Sequence, residues 1–128
     1  MDTEVKNWLD FAKRDLDVAR HLNTAFYPKP LEIVCYHCQQ AAEKAIKAVI
    51  ISLGSPGGLP KRHDLSFLLD QIHHMVRVDD EIYDCADALS PYGVASRHPN
   101  EMYLEPRHAD QAVKWAETIF DWAIRSVE

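Results

Sequence analysis

No apolar run in this chain approaches the roughly 20 residues that a membrane-spanning helix needs. Met1-Asp2-Thr3-Glu4 also offers no basic segment leading into an apolar stretch of the secretory kind. The expectation is a cytoplasmic protein with no membrane partner. Positive charge is scarce as well. Asp and Glu number 20 against 14 Lys and Arg, a net charge of −6, which argues against a surface built to neutralise long stretches of phosphate backbone. A local basic site remains compatible with that balance. Cysteine is limited to 3 residues, an odd number without a secretory signal, so no disulfide framework is expected. The chain has no HExxH, no paired Cys or His sets and no acidic calcium loop, and Gly54 to Gly58 lacks the order of a phosphate-binding loop. Accordingly, neither a metal nor a cofactor is expected. Convincing period-two alternation, internal repeats and low-complexity tracts are missing too.

What remains is helical periodicity in a chain of 128 residues, 47% hydrophobic and 27% charged, which fits one domain spanning 1–128. From Thr3 to about Ala25, apolar residues recur at Trp8, Phe11, Ala12, Leu16, Ala19 and Leu22, with Asp10, Lys13, Arg14, Asp17 and Arg20 on the other side. Pro28 and Pro30 end that pattern. A second helix runs from near Leu31 to Gly54, with Val34, Cys35, Cys38, Ala41, Ala42, Ala45, Val49 and Leu53 as its stripe. Small side chains there let neighbouring helices approach closely, which makes this helix the central one. Asp64 is placed to cap a third helix with core positions Leu65, Leu68, Leu69, Ile72 and Met75. A fourth fits between Asp79 and Leu89, and a last runs from about Arg107 to Val127, burying Ala109, Ala112, Val113, Ala116, Ile119, Phe120, Ala123 and Ile124. Between them Pro91, Gly93, Pro99 and Pro106 mark a long loop over 90–106, and loops of that length in compact domains tend to carry function.

Few of the chemically capable residues form a pattern. Cys35 and Cys38 spell CxxC, but three residues apart on a helix they share a face with Ala41, Ala42 and Ala45, as buried structural thiols would. His73 and His74 are adjacent and point apart; Arg14 and His21 sit on the polar side of an amphipathic helix, where such residues are ordinarily solvated. Gln40, Lys44 and Lys47 fall at i, i+4 and i+7, with Glu43 within reach of Lys47. One reading is a solvated polar face with an ion pair; the other is the lining of a cleft. His63 either helps start the third helix or serves as a ligand group.

Four segments resemble one known family, the HEPN domains: Trp8 to Leu16, Cys38 to Ala48, His63-Asp64-Leu65 and Ser96-Arg97-His98-Pro99. The resemblance spans nearly the whole chain, and it implies an all-α, up-and-down bundle of about five helices, commonly a homodimer. In prokaryotes such proteins are often encoded beside a minimal nucleotidyltransferase in toxin–antitoxin pairs. Many relatives are metal-independent ribonucleases with an Arg followed, after four to six residues, by a His at the start of the last helix. Arg97 stands where that Arg would be, but Met102, Tyr103 and Leu104 occupy the window for the His, and Arg107 finds none either. The expectation that follows is a binding module, with Gln40, Glu43, Lys44, Lys47, His63 and Arg97 holding a nucleotide phosphate and a nucleotidyltransferase as partner. Two other readings stay open. One is a ribonuclease toxin acting on RNA through Arg97 and a displaced proton carrier such as His98; the other is a purely structural oligomerisation bundle. Trp8, Trp115 and Trp122, with the alanine-rich second helix, suggest more apolar surface than a slim bundle covers, hence a homodimer or obligate complex.

Overall fold

A computed structural model describes residues 2–54, 59–95 and 103–128. Within them the chain forms α1 (Thr3–Ala25), α2 (Leu31–Ser52), α3 (Leu65–Asp70), α4 (Asp80–Leu89), a single turn α5 (Tyr92–Ala95) and α6 (Pro106–Val127), and no strand. The five helices expected are present, and α5 is an addition at the start of the expected long loop. Asp2 caps α1 by accepting from the amides of Glu4 and Val5, and Asp64 caps α3 through Ser66 and Phe67, satisfying donors that a helix start leaves open.

α2 is the axis of the bundle. Its whole expected stripe is buried except Leu53, which is partly so, and Ile46, Ala48 and Ile50 are buried beside it, because α1 and α6 pack along its length. Direction follows from cross-links. Trp8 near the start of α1 lies by Lys47, and Asp15 further along meets Lys44 and His37 earlier in α2, so these helices run antiparallel; Arg20 and Asn23 late in α1 meet Glu117 and Asp110 of α6, so α6 also runs against α1. At the lower end, Trp122 of α6 donates its indole N–H to the Arg77 carbonyl before α4.

Three expected helices need correction. The buried side of α1 is Val5, Leu9, Ala12, Leu16 and Ala19, and Phe11 is 47% exposed. Trp8 and Phe11 sit one position round the helix from Leu9 and Ala12, and the inner positions are the ones that small α2 residues leave room for. The third helix also ends early. Beyond Asp70 the turns are closed by i→i+3 bonds from Gln71 to Leu68 and Ile72 to Leu69, so the 3.6-residue period lapses. Ile72 remains buried, but Met75, an expected core residue, is 44% exposed. On α6, Val113, Phe120 and Ile124 are only partly buried, and Trp122 takes a core place that the periodicity did not assign.

Candidate functional site

Two polar clusters interrupt the apolar surroundings of α2. In the first, Glu43 projects from the middle of the helix with its side chain 6% exposed. Lys47 Nζ, one turn on, donates to Oε2 at 2.9 Å, and Gln39 Nε2, one turn back, donates to Oε1 at 3.1 Å. His63, arriving from the segment before α3, places Nδ1 3.0 Å from both carboxylate oxygens. An ionised carboxylate only accepts, so Nδ1 carries the hydrogen and Nε2 faces outward on a side chain that is 70% exposed. Burial would raise the Glu43 carboxyl, but bonds from Lys47, His63 and Gln39 outweigh it and hold the group below the ordinary carboxylate range. Gln39 is itself fully buried and ties the cluster outward: it accepts from Gln40 and lies under Gly93 of α5, where a Cβ would come within 2.8 Å of its Cδ.

The second cluster joins α1 to α2. Asp15 of α1 accepts from Lys44 Nζ at 2.5 Å and from His37 Nδ1 at 2.9 Å. Burial pushes the Asp15 carboxyl up, and the bonds and charge of His37 and Lys44 overcome that push and keep it below its ordinary value. Beside it, Lys47 Nζ lies 5.7 Å from the centre of the Trp8 ring and the Arg14 guanidinium 5.2 Å from that of Phe11, both within cation–π range.

The nominated residues are therefore brought close but divided. Gln40, Glu43, Lys47 and His63 belong to the first cluster, while Lys44 serves the second. Arg97 and His98, with the rest of Ser96-Arg97-His98-Pro99, lie outside the described residues. Asp15, His37 and Gln39 were not nominated from sequence; Asp15 and Gln39 fall within segments that carried the family likeness, and that was the signal available for them. Beside the first cluster opens a cleft of about 410 Å³ lined by His63, Asp64, Asp87, Ser90, Pro91 and Gly93. A larger groove of about 520 Å³ between α1 and α6, floored by Leu9, Phe120 and Ile124, is apolar, and the lysines at its rim are paired along α1 with Asp10 and Asp17.

The thiols are no part of either cluster. Burial, little opposed by a bond from Tyr92, pushes Cys35 up to about 11, and Cys38 rises further, so neither is a thiolate at neutral pH. Cys85 is buried and free as well. Among the described residues no three His, Cys, Asp or Glu side chains gather as a metal site, and no helix is long and apolar enough to cross a membrane.

Residues 5–127 match the family described as HEPN domain. A protein of Methanocaldococcus jannaschii named "Putative toxin MJ1304" is 26% identical over 133 aligned residues, covering 91% of this chain and 83% of the relative. The crystal structure of ST0689, an archaeal HEPN homologue, superposes with a TM-score of 0.74 at 27% identity, over 97% of this chain and 98% of that one. TT1696 from Thermus thermophilus shares the fold at a TM-score of 0.82 and 22% identity, over 98% and 99% of the two chains.

Proposed function

Because the chain belongs to the HEPN domain family, we propose that it is a binding module of a toxin–antitoxin-type system, which takes a nucleotide phosphate along the polar stripe of α2. Gln40, Glu43, Lys44, Lys47, His63 and Arg97 form that site, with Arg97 holding the phosphate by its bidentate fork and Lys44 as a point charge. The observation that carries the reading is the Glu43 cluster. Burying an ionised carboxylate with its partners contributes little net stability, and well-packed apolar residues commonly do as well or better. A carboxylate, an amide and an ammonium set among the buried residues of α2 are thus better accounted for by a ligand than by the bundle. The likeness to the M. jannaschii protein, which is named "Putative toxin MJ1304", supports the setting.

The same reading includes a minimal nucleotidyltransferase as partner and a homodimer as the assembled form. Phe11, Val18 and Ile33 are exposed apolar side chains on α1 and α2, and apolar side chains left in solvent favour a surface that meets protein.

Calorimetric titration with a panel of nucleotides tests the site. Arg97→Ala removes a charge-assisted donor and should weaken binding by about 1.5–3 kcal/mol, roughly tenfold to a hundredfold, with folding barely changed. Equal affinity in wild type and variant would leave the reading without support. The purified chain should also cleave RNA poorly, because an Arg can stabilise charge on a phosphate but cannot move the proton that a His at the family spacing would. Robust cleavage abolished by His98→Ala would put the ribonuclease reading in its place.

A further inference from the structure

We propose that His37 and Lys44 form an anion subsite of phosphate class, which the carboxylate of Asp15 occupies from within the chain. The inference rests on the reading that the α2 stripe receives a nucleotide phosphate, and it adds a residue, His37, and a competitor, Asp15.

His37 and Lys44 stand two turns apart on one face of α2 and converge on a single carboxylate. Lys44 Nζ meets Oδ2 at 2.5 Å and His37 Nδ1 meets Oδ1 at 2.9 Å. Two donors on two oxygens of one anion is the geometry that two non-bridging oxygens of a phosphate would satisfy equally well. The anion now held there comes from another helix, on a side chain with only two torsions, and that side chain has no further partner beyond these two donors among the described residues.

Glu43 shows the contrast. It is bound from three sides by Lys47, His63 and Gln39 at 6% exposure, so nothing from solvent can take its place. His37 and Lys44 are 27% and 29% exposed and open to an arriving ligand. Other charged groups nearby are already engaged: Arg14 is stacked on Phe11, and Lys47 is bound to Glu43. A phosphate entering here must displace Asp15, so the affinity observed is the difference between two anions for the same donors. Wild-type binding is weakened by that competition.

The probes are inorganic pyrophosphate and ATP, titrated calorimetrically into wild type, Asp15→Asn and the double variant Asp15→Asn with Lys44→Met. Asp15→Asn keeps the shape and one of the two acceptor oxygens but not the charge, and it should bind both probes more tightly by on the order of tenfold. The double variant should lose the gain. Asp15→Asn with an unchanged melting temperature and no tighter binding would overturn the proposal, as would a gain that survives loss of Lys44 or failure of every variant to bind either probe. Should Asp15→Asn not fold, Asp15→Ser is read by the same outcomes. A loss with Arg97→Ala but no gain with Asp15→Asn would keep the stripe reading and sink this one; a gain with Asp15→Asn and no effect of Arg97→Ala would do the reverse.

Discussion

Asp15 and Glu43 are the residues on which the polar chemistry turns, and both have consequences for stability. Glu43→Gln leaves Lys47, itself mostly buried, without its counter-charge and should cost about 2–3 kcal/mol in urea unfolding at neutral pH. A change below about 0.5 kcal/mol would show that the cluster relaxes without loss. Both carboxyls are held below their ordinary values of 3.8 and 4.5. A depressed carboxyl contributes stability that is complete above its unfolded value and is lost as pH falls through the folded one. The chain should therefore keep its stability from neutral pH to about 4.5 and lose it progressively below, and Glu43→Gln should flatten that acid slope. Little of this was legible beforehand. The spacing of Glu43 and Lys47 does imply their ion pair, and the pair is there. No periodicity links position 15 to positions 37 and 44, or 63 to 43, because these are contacts between elements rather than along one.

At the scale of elements, short connections were read less well than helices. α2 is legible because its small and apolar residues recur over 22 residues, long enough for the period to show. α3 has only 6 residues, and the chain beyond it continues in tighter turns that a fixed period cannot follow. α5 was hidden inside a stretch that Pro91 and Gly93 marked as loop, although its position is set closely. Gly93 rests on Gln39, whose amide is held by Glu43 and by the His63 carbonyl and so cannot swing away. Gly93→Ala should cost about 1–3 kcal/mol, as overpacking does in a filled interior. Thermal unfolding of that variant should show the loss. An unchanged transition would mean that α5 lifts off α2 freely, and the Gln39 contact would then hold nothing in place.

For the molecule as a whole, the proposed homodimer gives a plain measurement: light scattering at high concentration should report twice the mass of the 14.7 kDa chain. Phe11→Asp, which places a charge on the exposed apolar surface of α1, should shift the particle to the monomer without changing its helix content. A strictly monomeric wild type with no partner present would count against self-association. Amino-acid order by itself determined the long helices, the central place of α2 and the family, because each rests on local spacing: apolar residues every three to four positions, caps at helix starts, prolines between. It also determined that α2 carries polar groups. The tertiary structure alone decided how those groups are shared. Antiparallel packing of α1 on α2 delivers Asp15 to Lys44 and His37, the return of the chain before α3 delivers His63 to Glu43, and the inner face of α1 takes Val5 and Leu9 and leaves Phe11 outside. Electrostatic pairing depends on distance in space, and distances between helices are set only when their faces meet.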